Sequence, residues 1–131
     1  MQIVAFDFGT KKIGVAVGQT STYTSSPLLV IVSKDNKVNW NEIIILLDEW
    51  KPELIIVGKP LNMDGTDSEI MKEVEKFNKK LKSIYDAKFE YIDERLTTFE
   101  ARQILEENNV DTVDANAAKI LIDNWFELNK E

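Results

Sequence analysis

Hydrophobic positions in the first quarter of the chain fall into short runs that polar turns separate. Residues 1–8 have the mixed polarity of a strand, and a turn over 9–12 separates them from a second apolar run over 13–18. A polar, Ser/Thr-rich loop over 19–26 leads to a third apolar run over 27–32. We expect three strands, and the short connections favour antiparallel pairing.

Helical spacing follows, after an acceptor side chain and a glutamate three residues apart. Asn39 and Glu42 have the pattern of a capping box, which predicts a helix that ends before Pro52. The predicted core positions of this helix recur at helical spacing: Trp40, Ile43, Ile44, Leu47 and Trp50. The short β-branched run over 53–57 predicts a buried strand, and a loop rich in turn formers follows it over 58–66.

The rest of the chain alternates helix and strand. Thr66 and Glu69 form a second capping box, which predicts that a helix begins there. The apolar face of this helix is predicted to hold Ile70, Val74, Phe77, Leu81 and Ile84. A strand is predicted over 89–93, a short helix from a third capping box at Thr97, and a last helix over about 113–128.

This order of elements predicts one α/β domain over residues 1–131. Three antiparallel strands open the sheet, and the later strands alternate with helices, so they should run parallel through right-handed crossovers. The expected architecture is a mixed five-stranded sheet flanked by helices. In open sheets of this kind, sites form beyond the carboxyl ends of the parallel strands.

Composition narrows the chemistry. The 131 residues include no His and no Cys, which excludes disulfides, thiolate chemistry and the commonest general base and zinc ligand. No apolar run approaches the ~20 residues that span a bilayer, and no signal peptide is evident, so we expect a cytoplasmic protein without a membrane partner. The net charge of −7 weighs weakly against nucleic acid as a partner, because clusters of cations matter more than totals.

Three acidic residues occupy positions where a charge is costly. Asp7 lies inside the first hydrophobic strand, Glu94 follows the last strand, and Asp114 lies on the apolar stripe of the last helix. A buried carboxylate costs several kcal/mol unless it is compensated. Three of them aimed at one sheet favour a site for hard divalent cations, which take oxygen ligands, and hence metal-dependent phosphoryl chemistry.

Each acid also has a structural interpretation. Asp7 could cap a strand end, Glu94 could form a surface ion pair worth little, and Asp114 could stabilise a helix N-terminus. Asp93 and Glu94 point in opposite directions if the strand persists, so only one can be a metal ligand. We prefer Glu94 as that ligand, with Asp93 as a structural acceptor.

Several polar residues near these acids are candidates for substrate contact. Donors and cations follow Asp7 in the turn, and others come from the loops after the later strands. The candidates are Thr10, Lys11, Lys12, Lys59, Asn62, Asp64, Arg95 and Thr98. The lysines at 76, 79, 80 and 82 are expected to form the solvated face of a helix, and the three tryptophans are expected to be packing residues.

The ordered motifs of the whole chain resemble those of the YqgF/RuvX family, which has an RNase H-like fold. They are Asp7-Phe-Gly-Thr-Lys-Lys-Ile-Gly-Val-Ala16, Ser26-Pro-Leu28, Ile56-Val-Gly-Lys-Pro-Leu-Asn-Met-Asp-Gly65, Asp93-Glu-Arg-Leu-Thr-Thr98 and Val113-Asp-x-x-Ala-Ala118. The resemblance implies a two-metal nuclease in which Asp7, Glu94 and Asp114 hold two Mg²⁺ or Mn²⁺ ions. Members are described as Holliday junction resolvases and, more recently, as pre-16S rRNA nucleases.

The resemblance therefore implies maturation of the 5′ end of pre-16S rRNA in ribosome biogenesis, by a monomer or a homodimer. Cleavage of four-way DNA junctions and non-catalytic binding of nucleic acid are the alternatives. The family usually has Arg where Lys12 stands, so a bidentate phosphate contact becomes a point charge. An acid that the family often has near Gly18 is absent, and the acidic net charge favours a substrate presented by a pre-ribosomal particle.

Overall fold

The computed structural model describes residues 1–60, 64–66, 68–94 and 115–130, and five strands of this part form one sheet. In chain order the strands are β1 (Gln2–Phe8), β2 (Lys12–Gln19), β3 (Thr24–Val32), β4 (Leu54–Lys59) and β5 (Lys88–Asp93). They lie in the order β3-β2-β1-β4-β5. β1 pairs antiparallel with β2 and β2 with β3, whereas β4 runs parallel to both β1 and β5. The predicted mixed five-stranded sheet is confirmed.

Three helices of the described residues cover the sheet. They are α1 (Trp40–Trp50), α2 (Met71–Ile84) and α3 (Ala115–Leu128). None of the described helices is long and apolar enough to cross a membrane. The predicted short helix that begins at Thr97, and the predicted start of the last helix at 113, lie outside the described residues.

The predicted capping of α1 is confirmed. The Asn39 side chain accepts a hydrogen bond from the backbone N–H of Glu42, 3.2 Å away, and the helix ends at Lys51 in the left-handed region with φ 48°. The predicted core face is wrong at one position. Ile44 is 40% exposed, and Leu46, on the other flank of the stripe, is buried in its place.

The predicted capping box of α2 is wrong. The backbone N–H and the hydroxyl of Thr66 both donate to the carboxylate of Asp64, which makes a local turn. The helix begins later, at Met71, and no side chain caps it. Ile84, predicted to be a core residue, is 36% exposed at the end of the helix.

Two strands extend by two residues or more at one end into stretches predicted to be loops. β3 begins at Thr24, inside the stretch predicted to be a loop, because the turn after β2 is short and Tyr23 takes a positive φ of 51°. β4 continues through Gly58 and Lys59, which were predicted to open a loop. The second difference matters for function, because it makes Gly58 part of the sheet.

The two faces of the sheet carry separate hydrophobic clusters. We call the side that packs on α1 and α2 the α1/α2 face, and the side that packs on α3 the α3 face. The first cluster is rich in large side chains, including Phe6, Phe8 and Phe77. The second contains more small ones, including Ala5, Ala16 and Ala118. Successive strand residues alternate between the two faces.

Candidate active site

Asp7 is a buried carboxylate near the carboxyl end of β1. Only 5% of the residue is exposed. It follows Ile3 and Ala5 in the alternation of the strand, so it lies on the α3 face. Gly14 of β2 is its direct partner in the antiparallel register. No side chain therefore stands opposite Asp7 on that neighbouring strand.

Glycine also lies on the other side of Asp7. In the parallel pairing of β1 with β4, Phe6 is the partner of Val57, so the register carried one residue further brings Asp7 beside Gly58. Two glycines thus flank the carboxylate on neighbouring strands. They leave space above the sheet at the carboxyl ends of the parallel strands, where α/β proteins form their sites.

The carboxylate of Glu94 occupies the space above Gly58. A Cβ placed on Gly58 would collide with Oε1 of Glu94 and would lie 3.2 Å from its Cδ. Because β1 and β4 are adjacent strands, the Glu94 carboxylate lies about one strand spacing, ~4.8 Å, from the strand that carries Asp7. Two predicted metal ligands from separate segments therefore converge on the α3 face.

Asp93 lies on the opposite face. It is the register partner of Lys59 on β4, and the alternation along β5 puts both on the α1/α2 face. Tyr91 lies two residues earlier on the same face. Burial raises the pKa of its phenol, and a hydrogen bond from the Asn78 side chain offsets only part of that rise. Tyr91 therefore stays protonated near neutral pH and is not a general base.

Helix α3 directs its N-terminal end toward the same edge of the sheet. Leu121 Cδ1 would lie 3.1 Å from a Cβ on Gly58, near the carboxyl end of β4. One turn later, Trp125 Nε1 donates to Glu90 Oε2 at 2.9 Å, further back along β5. The helix therefore runs away from the site, and fully buried Ala118 lets it pack closely there. Asp114 lies outside the described residues.

The candidate substrate contacts divide between the two faces. Lys12 is half-buried and shares the α3 face with Gly14, two residues further along β2, and so with Asp7. Thr10 and Lys11 are exposed in the turn between β1 and β2. Lys59, as described above, lies on the other face. Asn62, Arg95 and Thr98 lie outside the described residues, and Asp64 binds Thr66 instead.

The two convergent carboxylates fit a divalent cation by their chemistry. Both are hard oxygen donors, and Mg²⁺ is held by one or two protein carboxylates together with water and substrate phosphate. Within the described residues, no group of three or more Asp, Glu, His or Cys is arranged to hold a metal ion. Among the described residues, the fit therefore depends on Asp7 and on Glu94, whose carboxylate lies above Gly58.

Sequence reasoning singled out both acids as candidate ligands and gave no role to the glycines beside them. Gly14 and Gly58 were read as parts of a strand and a loop, without a role at the site. A glycine inside a strand often marks a close approach by another group, and Gly58 would have given that signal had β4 been predicted to its full length.

The strand order, the pairing directions and the acids at the carboxyl edge define an RNase H-like fold with an acidic site. The family model described as "RuvX: Holliday junction resolvase" matches residues 1–128. The chain belongs to the RuvX family.

Curated relatives match along nearly the whole chain. A protein of Buchnera aphidicola is 45% identical over 136 residues, covering 99% of this chain and 99% of the relative. A protein of Saccharophagus degradans is 42% identical over 130 residues, covering 95% of this chain and 92% of the relative. Both relatives carry the name "Putative pre-16S rRNA nuclease".

Two solved structures share the fold at low sequence identity. The RuvC protein of T. thermophilus, in complex with a Holliday junction substrate, matches with a TM-score of 0.62 at 10% identity, covering 99% of this chain and 96% of that one. The fowlpox virus resolvase, also with Holliday junction DNA, matches with a TM-score of 0.55 at 15% identity and covers all of both chains. At these identities the likeness shows the fold alone.

Proposed function

We propose that this chain is a metal-dependent nuclease that hydrolyses phosphodiester bonds, with Asp7, Glu94 and Asp114 as the ligands of two Mg²⁺ or Mn²⁺ ions. The observation that carries the proposal is the convergence of buried Asp7 and Glu94 above Gly58, at the carboxyl edge of the parallel strands. Two acidic side chains, one of them buried and the other partly exposed, are brought together there, an arrangement that a bound divalent cation would stabilise.

The residues of the chain would hold the metal ions, orient the substrate and neutralise its phosphate charge. Divalent ions bound there would supply Lewis-acid activation of water and would stabilise the leaving oxygen. Asp7 and Glu94 would fix the cations against the sheet. Lys12, on the same face, balances phosphate charge as a point cation. The chain has no His, so a general base made of imidazole is excluded.

We propose Thr10 and Lys11 after β1, and Lys59 and Asn62 further along the chain, as contacts to the phosphate backbone. Because Lys59 lies on the α1/α2 face, it would have to reach the phosphate around the carboxyl end of β4. Backbone contacts of this kind position a nucleic acid without reading its sequence. Arg95 would take a phosphate bidentately, and Thr98 would donate to a phosphate oxygen.

We propose maturation of the 5′ end of pre-16S rRNA in the cytoplasm as the cellular reaction. The names of the 42–45% identical relatives support it. The net charge of −7 also agrees with a substrate that reaches the site inside a pre-ribosomal particle, because free RNA is repelled by an acidic protein.

The second candidate function is cleavage of four-way DNA junctions. The description of the matching family model favours it. Junction cleavage needs two matched cuts, which a symmetric dimer would supply. A non-catalytic binding module is a third candidate, and the buried Asp7 with Glu94 beside it counts against this candidate, because binding alone needs no carboxylate in the sheet.

Cleavage assays with matched substrates test these candidates. The purified protein is incubated with Mg²⁺ or Mn²⁺ and a labelled precursor of the 16S rRNA 5′ end, a four-way DNA junction or a linear single strand. The Asp7→Asn variant, which keeps the shape and removes the charge, is the control. Metal-dependent cutting of the RNA that the variant lacks is the expected result.

Paired symmetric cuts in the junction, with the RNA left intact, would instead favour the resolvase. Cutting that Asp7→Asn retains at the wild-type rate would contradict the assignment of the metal ligands. If a pre-ribosomal particle is cut and the free RNA is not, the particle supplies the binding energy for the substrate.

A further inference from the structure

Gly58 has no conformational reason to be glycine. Its φ lies outside the left-handed region, and among the described glycines only Gly65, with φ 89°, takes a positive value. It lies inside β4, where glycine costs stability relative to a residue with a side chain. The explanation must therefore come from the space around its Cα.

That space belongs to the Glu94 carboxylate. A Cβ on Gly58 would collide with Oε1 of Glu94, lie 3.2 Å from its Cδ and lie 3.1 Å from Cδ1 of Leu121. Glu94 follows β5, two strands from β1, and its side chain must cross β4 to approach Asp7. Any side chain at position 58 would stand in that path.

We propose that Gly58 is a positioning residue, which keeps the surface of β4 clear so that the Glu94 carboxylate can lie beside Asp7 and bind a divalent cation. The inference rests on the proposed function, since it takes Glu94 as a metal ligand. Gly58 contributes no ligand atom itself. Gly58 acts only through the position of Glu94, so replacing Gly58 should lower the metal affinity more than it lowers the stability of the fold.

Gly58→Ala is the direct test, because alanine adds only the Cβ and can adopt the strand conformation. Titration of the metal-free protein with Mn²⁺ in a calorimeter should show affinity about 10- to 100-fold weaker than wild type, as for other residues that orient a ligand. The cleavage rate at saturating RNA should fall with it, and raised Mn²⁺ should restore part of the rate.

Gly18→Ala is a matched control. A Cβ on Gly18 would lie 2.8 Å from Cγ2 of Ile122, so this variant also crowds α3 against the sheet, away from Glu94. It should lower the unfolding midpoint without changing the Mn²⁺ affinity. Equal loss of Mn²⁺ affinity in both variants would overturn the proposal, because a displaced helix would then explain both.

Two double variants separate the contacts that a Cβ at 58 would make. Glu94→Asp shortens the acid, so adding Gly58→Ala to it should weaken Mn²⁺ binding about twofold or less, a non-additive pair. Gly58→Ala with Leu121→Val removes the crowded Cδ1 of Leu121 and leaves Glu94 untouched. Recovered Mn²⁺ affinity in that variant would overturn the proposal and assign the effect to α3.

The outcomes distinguish this inference from the proposed function. If wild-type protein binds Mn²⁺ and cleaves RNA while Gly58→Ala does both equally well, the positioning role is wrong and the nuclease stands. If wild type neither binds Mn²⁺ nor cleaves any substrate, the proposed function fails and the positioning role fails with it.

Discussion

The two faces of the sheet are built from the same strands but for different purposes. On the α1/α2 face, the Phe77 ring packs against Phe6, Phe8 and Trp40 with centroids 5.1–5.5 Å apart. On the α3 face, Ala5, with other small residues and the glycines, takes the corresponding positions. Large interlocking rings stabilise the first face, whereas small residues leave space for carboxylates on the second.

This division lets the protein place charges in its interior without unfolding. Dense packing on one face supplies stability that the other face lacks at its carboxyl edge. Functional sites commonly reduce stability in this way, and the rest of the fold compensates. Substitutions on the α3 face should therefore change activity most, and substitutions on the α1/α2 face should change stability most.

The largest effect is expected from a pair of neighbouring substitutions that separates the faces. Glu94→Gln keeps the shape of the side chain and removes the charge on the α3 face, so cleavage should fall by more than the about 100-fold that losing an outer partner of a metal costs. Asp93→Asn makes the same change on the α1/α2 face and should alter the rate about twofold or less. Initial rates of RNA cleavage with Mn²⁺ measure both.

A large loss of cleavage in Asp93→Asn and a small one in Glu94→Gln would show that Asp93, and not Glu94, faces the α3 side of the sheet. Equal losses in both variants would mean that the two acids act as one unit, and the separation of the faces would then not extend to the end of β5.

Phe77→Ala should have the largest effect on stability. The ring is 2% exposed and contacts three other aromatic rings, so its removal should lower the free energy of unfolding by about 3–5 kcal/mol. Urea unfolding of the metal-free protein measures this loss. Mn²⁺ affinity, measured where the variant is still folded, should be close to that of wild type. A large loss of affinity would show that the two faces are coupled.

Asp7→Asn should have the opposite sign on the other face. Without metal, Asp7 places a charge at a position that is only 5% exposed, beside a second acidic side chain, so removing its charge should raise the free energy of unfolding by about 0.5–2 kcal/mol. Mn²⁺ should then stabilise wild type and not the variant, because only wild type binds it. Thermal unfolding of wild type and Asp7→Asn, each in chelator and in Mn²⁺, measures these differences. If the variant is less stable than wild type in chelator, other groups of the protein stabilise the Asp7 charge without metal.

The sheet could be predicted because its determinants are local. The strands β1 to β4 each contain an apolar run between turn residues, and β5 mixes polar and apolar positions. The start of α1 is marked by Asn39, which bonds to a residue only three positions away. The start of α2 could not be predicted in that way. The backbone N–H and the hydroxyl of Thr66 bond to the Asp64 carboxylate and form a local turn instead of a helix cap. The helix therefore begins only at the buried Met71.

The site was predictable only as far as charge in an apolar context reveals it. Asp7 is conspicuous because its neighbours in sequence are hydrophobic, and Glu94 because it directly follows a predicted strand. Gly58 is not, because its role depends on a side chain 36 residues later that crosses a neighbouring strand. Local sequence patterns therefore indicate which charged residues stand in an unusual context, whereas the space that their side chains occupy is visible only in the three-dimensional structure.

The smallest effect is expected at Lys12, the half-buried cation on the α3 face. If it contacts phosphate, Lys12→Ala should raise the KM for RNA by a few-fold at most and leave the Mn²⁺ affinity and the unfolding midpoint nearly unchanged, since it removes one partly exposed charge contact of about 0.2–1 kcal/mol. Lys12→Arg restores the charge in a planar fork and should lower KM relative to Lys12→Ala to the wild-type value or below. Lys11→Ala, in the exposed turn beside it, is the matched control for charge alone. An equal rise in KM in both alanine variants would mean that the two lysines attract RNA only through the positive charge of the turn. Lys12 would then make no specific contact with phosphate on the α3 face.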